Sequence, residues 1–462
     1  MKRFPVMKAP VLLLLLLCGV CYCAPGQTPL VLKGGTIIDV TDYGNSKKDI
    51  TDAVVIIEGN TIKAAGSASS IKVPKEARIL DVTGKYIVPG LIDCFGIINN
   101  QAYANAYLYL GVTTVVLTED GRRGPADWSA NPSPAKIKLD SFWGARSRRV
   151  NVGTAENAGF ELLESWSKET INHRIDSLAK NGVKVLLVHY AVAPGQLPTI
   201  VEACKRNNIA TMGELGLSSY HEAVAAGVQS FIHVSRYSAD VLPDSARKAY
   251  ATSPFGPPGQ YYYQYIAGNP NLLSEKKFLE LSQLYHDHAV GLIPTAGMLL
   301  YPEMDFAVNP WLEPIAAIID EKDVTFEPLD KATGKPKNPS PNRQRAVPAM
   351  VRIDQAFVKN GAHYLTGSGT DAFGTLPGIS LHNELSMLSH YGLTNRQVLA
   401  AATHNFSLLW NWTSFGKVER GREADILVLD HNPLESIKHL KAIHTLIVDG
   451  VVIDRDNLLT KK

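Results

Sequence analysis

The 462-residue sequence predicts an α/β protein: a (β/α)8 barrel of TIM type over residues 89–416, with a composite β-sandwich built from residues 25–88 and 417–462. Three observations lead there. Short apolar runs alternate with helical patterns through the middle of the chain, the signature of parallel βα units. Strand and tight-turn patterns gather at the two ends. The length also exceeds what one small core serves, which calls for a large domain and a smaller one.

The first residues stand apart. Lys2, Arg3 and Lys8 precede the apolar run 11–20, and Ala24-Pro25 follows. A basic n-region, an h-region and a cleavage zone make residues 1–24 an export signal. The run is short of the ~20 residues needed to cross a bilayer. The expectation is an exported protein, periplasmic or secreted. Lipid anchoring through Cys21 or Cys23 is left open, although the residues before each make a poor lipoprotein cleavage site. Of five cysteines, only Cys94 and Cys204 lie in the body of the chain, where they read as small buried apolar residues rather than a disulfide framework. The formal charge is +2 without any Lys/Arg run, so nucleic acid and anionic membrane surfaces are not expected partners.

Leu30-Val31-Leu32 and Thr36-Ile37-Ile38 flank Gly34-Gly35, and runs 54–58 and 61–65 flank Gly59-Asn60, a strong hairpin signal. Residues 425–429, then 445–448 and 451–453 around Asp449-Gly450, repeat the style. Two separate caps would leave strand edges unpaired, which favours one joint domain.

Between them, 112–117 is a run of buried-strand type. A helix over 170–181 stops at Gly182 before a strand at 183–189. Helix 197–207 precedes a strand at 209–212, and helix 220–226 stops at Gly227 before a strand at 229–234. Runs 290–293 and 363–366, with strands near Ile92 and at 147–152, bring the tally to eight. Leu381, Leu385 and Leu388 mark one helix face, and Thr394-x-x-Gln397 is a capping box opening the next helix. An open doubly wound sheet is the competing architecture, but no glycine-rich phosphate fingerprint supports it. Residues 240–345 are the least regular, rich in proline and carrying Tyr261-Tyr262-Tyr263-Gln264-Tyr265. Segments this long lie over a barrel mouth, where tyrosines line a ligand surface or fill half-buried gaps.

A set of motifs runs in order from Gly34-Gly35-Thr36-Ile37-Ile38-Asp39 through Val88-Pro89-Gly90-Leu91-Ile92-Asp93 and Leu110-Gly111-Val112-Thr113-Thr114-Val115 to Glu222-Ala223-Val224-Ala225-Ala226-Gly227. Gly369-Thr370-Asp371-Ala372, Leu381-His382-Asn383-Glu384-Leu385, Ala400-Ala401-Ala402-Thr403 and a segment from Gly416 to Asp425 complete it. Taken together, these pieces resemble the amidohydrolase superfamily, in its imidazolonepropionase-like and prolidase-like branch. The resemblance implies a barrel with a composite sandwich and a metal-activated water that attacks a carbonyl. It also marks where ligands belong. The paired-histidine positions after the first strand hold Phe95 and Ile97, and the bridging-lysine position holds Leu187. The strand-five histidine position holds Glu214, while His233 and Asp371 retain the strand-six and strand-eight ligands.

These substitutions leave two expectations. In one, the chain is a hydrolase of carbon–nitrogen bonds in an amide or dipeptide-like substrate. At most one divalent ion, zinc or manganese, is then held by Glu214, His233 and Asp371, with Asp371 or His189 as base. In the other, no metal binds, and an apolar mouth lined by Phe95, Ile97 and Leu187 takes a small molecule or a partner such as an active paralogue or a second copy. His286-Asp287-His288 imitates the missing pair, but it precedes a strand and belongs at the wrong face. Lys184 has odd spacing from Leu187 and points to the other side of its strand.

Overall fold

The computed structural model describes residues 28–98, 100–117, 148–154, 167–180, 182–188, 192–233, 240, 242–252, 264–269, 276–324, 329–370 and 372–460. The expected export signal at 1–24 with its cysteines, His189, Tyr261 to Tyr263 and Asp371 lie outside the described residues. Among the described residues no helix is long and apolar enough to cross a membrane.

One sheet draws on both ends of the chain. It contains β1 (Leu30–Ile37), β2 (Ile50–Glu58), β3 (Thr61–Ser67), β4 (Arg78–Asp81) and β5 (Tyr86–Pro89), together with β14 (Ile426–Leu429), β15 (Ile443–Val448) and β16 (Val451–Ile453). The junction is the antiparallel pair β5–β14, with Pro89 opposite Ile426. Where the sequence predicts a composite sandwich, hydrogen bonds link the strands in one path, β16-β15-β14-β5-β1-β2-β3, with β4 branching from β1. Period-two alternation then sorts the side chains. Leu30, Leu32, Val55, Ile57, Ile87, Ile426 and Val428 form one apolar cluster, whereas Leu427, Leu429, Leu446 and Val448 join the main core. Covered on both faces, β14 is buried at every position.

The second sheet runs β6 (Leu91–Gly96), β7 (Val112–Leu117), β8 (Arg148–Thr154), β9 (Val183–Val188), β10 (Ala210–Gly213), β11 (Ser230–Ile232), β12 (Gly291–Ile293) and β13 (His363–Tyr364), neighbours in chain order. Every pairing in it is parallel. All eight strands fall where the apolar runs predict them. Near-continuous apolar strands suit a parallel sheet because helices cover its faces. The Cys94 N–H donates to Thr366 O at 2.9 Å and the Gly369 N–H to Phe95 O at 2.8 Å, which links β6 to the chain just beyond β13.

Helices Lys168–Lys180, Leu197–Arg206 and Tyr220–Ala226 match their patterns. The last opens on a Ser219–Glu222 capping box and closes on Gly227 at φ 92°, a left-handed conformation that glycine adopts without Cβ strain. Thr394 and Gln397 form the expected box. Two expectations differ. The two runs that flank Gly34-Gly35 are one strand, β1, with register shifts on either side of Gly35, a bulge that Gly34 permits at φ 93°. The proline-rich stretch also ends in a 19-residue helix, Pro341–Lys359. Pro341 sits in its first turn, where no N–H is needed, but Pro348 lies inside it and hides it from pattern reading.

Candidate functional site

Three consecutive parallel strands deliver three side chains to one place. Glu214 follows β10 and its N–H donates to Val188 O at 2.8 Å; His233 follows β11 and its N–H donates to Ile293 O at 2.9 Å. Thr295 follows β12. His233 Nε2 lies 3.5 Å from Glu214 Oε1, and His233 Nδ1 lies 2.8 Å from Thr295 Oγ1. All three residues are buried. His233 has φ 67° and Thr295 φ 50°. Left-handed backbone costs a non-glycine residue about 1–2 kcal/mol, and two such residues in contact mark a constrained site.

Phe95, just before the end of β6, stands beside this group. Its ring is 5.2 Å from the His233 ring, with planes at 86°, the perpendicular arrangement favoured by aromatic quadrupoles. Phe95 also packs on an apolar cluster containing Leu187, Met212, Ile232 and Ile293. Phe95, Glu214 and His233 are therefore gathered in one region, and Leu187 belongs to the apolar cluster on which Phe95 packs. Ile97 is half-buried one residue past β6, and Lys184 is exposed. His286 and Asp287 close the Lys276–Asp287 helix as an exposed pair 3.1 Å apart, ahead of β12 and away from the strand ends that carry Glu214 and His233.

Solved structures resemble the whole chain. A putative prolidase from Bifidobacterium longum superposes with TM-score 0.60 at 20% identity, covering 94% of this chain and 99% of that one. Molinate hydrolase gives TM-score 0.62 at 16% identity, covering 94% and 97%. A Xaa-Pro dipeptidase with bound methionine gives 0.60 at 15%, covering 92% and 100%. The chain shares the fold of these amidohydrolase and prolidase structures. No protein-family profile and no curated protein matches this sequence.

Amidohydrolase-fold structures are typically metal-dependent, so the pair must be tested against an ion. Two ligands about 2.1 Å from a tetrahedral ion stand roughly 3.4 Å apart, and His233 Nε2 and Glu214 Oε1 are separated by 3.5 Å. The pair fits as two ligands of one ion. Among the described residues no group of three His, Cys, Asp or Glu side chains could hold a metal.

Sequence reasoning missed Thr295 and a buried polar group behind Phe95. Thr295 was findable, since it follows the 290–293 run as Glu214 and His233 follow theirs. Asp93 Oδ1 accepts the Ser368 N–H at 2.9 Å and the Phe95 N–H at 3.1 Å. Burial pushes its carboxyl up to about 6, against the pull of those bonds. Ser368 Oγ in turn meets Thr370 Oγ1 at 2.7 Å. Glu384 accepts the Gly297 N–H at 2.7 Å and is pushed by burial to about 8. These acids hold the turns after β13 and β12, and although both lie in segments that carry the family resemblance, nothing in those segments points to these partners.

Proposed function

We propose that the chain is an exported amidohydrolase-superfamily hydrolase that cleaves a carbon–nitrogen bond in a small amide or dipeptide-like substrate with at most one divalent ion. The single observation behind this reading is the convergence of His233 Nε2 and Glu214 Oε1 at 3.5 Å. In this reading the parallel sheet is a (β/α)8 barrel, supported by the Cys94–Thr366 and Gly369–Phe95 bonds between its ends. Glu214, His233 and Asp371 would hold zinc or manganese, and Asp371 or His189 would move the proton. A bound ion would lower the pKa of its water and polarise the carbonyl. Phe95 and Leu187 keep bulk water from the substrate side, which strengthens every charge interaction there. The prolidase and Xaa-Pro dipeptidase among the structural neighbours make dipeptides the first substrates to test.

A second reading rests on Phe95. Its ring beside His233 makes the mouth partly apolar, and a dry wall disfavours a hydrated ion. The chain would then bind a small amide, an active paralogue or a second copy without turnover. Metal analysis with added zinc or manganese, together with a dipeptide and N-acyl amino-acid panel, separates the two. One ion per chain, lost in Glu214→Gln, with hydrolysis lost alongside it, is the expected result. No metal and no hydrolysis overturns the enzymatic reading; two ions per chain overturns the mononuclear one.

A further inference from the structure

We propose that Thr295 is a positioning residue that fixes the tautomer of His233, committing Nδ1 to carry the ring proton and turning the Nε2 lone pair toward Glu214. The inference rests on the metal-holding role given above to His233, but it concerns a hydrogen bond that exists without any ion.

Thr295 Oγ1 makes two contacts, to Pro294 O at 2.6 Å and to His233 Nδ1 at 2.8 Å. A hydroxyl has one proton to give. A carbonyl can only accept, so the Thr295 proton goes to Pro294 O. Thr295 Oγ1 then meets His233 through a lone pair, and Nδ1 must be the donor. In a neutral ring that leaves Nε2 as the lone-pair nitrogen, the one facing Glu214 Oε1. The opposite tautomer would require the hydroxyl to leave Pro294 O and donate to Nδ1.

The backbone defends this choice. Thr295 is fully buried and left-handed at φ 50°, an unfavourable state for a β-branched residue. Glu384 anchors the same turn from the Ile379–Tyr391 helix through the Gly297 N–H, and a Cβ at residue 297 would come within 2.6 Å of Ser380 O. The turn is thus clamped where the hydroxyl meets the imidazole. An orienting partner on the second nitrogen of a ligating histidine typically affects metal affinity 10–100-fold.

The test uses the metal-free full chain labelled with 15N-histidine, with the His233 signals assigned by their loss in His233→Asn. Long-range 1H–15N spectra across a pH series are expected to show Nδ1 protonated throughout. Thr295→Ser keeps that signature. Thr295→Val, nearly the same shape but without the hydroxyl, populates the Nε2–H form and weakens zinc binding about 10–100-fold. A lone-pair Nδ1 signal in the unsubstituted chain, or an unchanged tautomer in Thr295→Val, overturns the proposal. If no zinc binds to any form, the metal-holding role fails, while the tautomer signals still decide this one.

Discussion

Phe95 and His233 stand ring to ring, 5.2 Å between centroids and nearly perpendicular. An apolar side chain thus abuts the imidazole that a divalent ion would need. Restoring histidines at Phe95 and Ile97 should not rebuild a two-metal centre, because Leu187 lies in the apolar cluster and offers no bridging group. The expected result for Phe95→His with Ile97→His is at most one ion per chain and no gain in hydrolysis. Two ions with recovered turnover would refute it.

The buried acids set a pH dependence of stability. Burial raises Asp93 to about 6 and Glu384 to about 8, above their ordinary values of 3.8 and 4.5. The folded chain keeps protons that the unfolded chain releases. Their contribution is therefore complete below about pH 4 and is lost as pH rises through about 6 and then about 8. For Asp93 the loss is on the order of 3 kcal/mol at about 1.4 kcal/mol per unit. Denaturant titrations should find that Asp93→Asn makes the fall between about pH 4 and 6 shallower, and that Glu384→Gln makes it shallower from about 4.5 on and removes its own share up to about 8. Slopes identical to the unsubstituted chain would show that these groups titrate normally.

Arg396 clamps the terminal sheet to a helix that follows the parallel sheet. Its Nη1 donates to Asp39 O at 2.8 Å and to Asp49 Oδ1 at 2.6 Å, and Nη2 donates to Asp49 Oδ2 at 2.8 Å. The two-pronged fit depends on a planar guanidinium. Arg396→Ala should cost about 2–3 kcal/mol, and Arg396→Lys should recover less than half of it. The Arg396 bonds hold Asp49 below the usual carboxylate range against its burial. Its share of stability is present at neutral pH and lost as pH falls below about 4. A lysine variant as stable as the unsubstituted chain would show that charge alone suffices.

Two turn glycines make a contrast. Gly450 has φ 75°, and a Cβ there would lie 1.9 Å from Gly59 O; Gly59 has φ 58° with nothing within 4 Å of its Cβ position. Gly59→Ala should cost about 1 kcal/mol from backbone strain alone. Gly450→Ala should cost clearly more, since backbone must also move. Thermal unfolding of the two variants checks this, and equal losses would contradict it.

Most of the eight parallel strands were legible because they are short apolar runs bounded by glycine or a helical pattern, as at Gly182 before β9 and Gly227 before β11. Those signals are local. The Pro341–Lys359 helix was not legible, since Pro348 breaks the pattern and packing overrides it. The bulge at Gly34 divides β1 into two apparent runs, because glycine also separates strands. At the site, ligand positions could be placed by resemblance, so Glu214, His233 and Phe95 were nameable in advance. Thr295 could have been found from its place just after the 290–293 run, whereas the role of Asp93 could not, because it lies in a partner far along the chain, Ser368.

The pairing of Pro89 with Ile426 has a consequence for biosynthesis. β5 is made before the parallel sheet, yet its partner β14 leaves the ribosome only after all of that sheet. Until then, the early half presents a bare ribbon of amide and carbonyl groups able to recruit any extended peptide nearby. Chains cut short before β14 should therefore precipitate rather than persist as a stable fragment, and a strand synthesised after the parallel sheet decides whether those before it remain in solution.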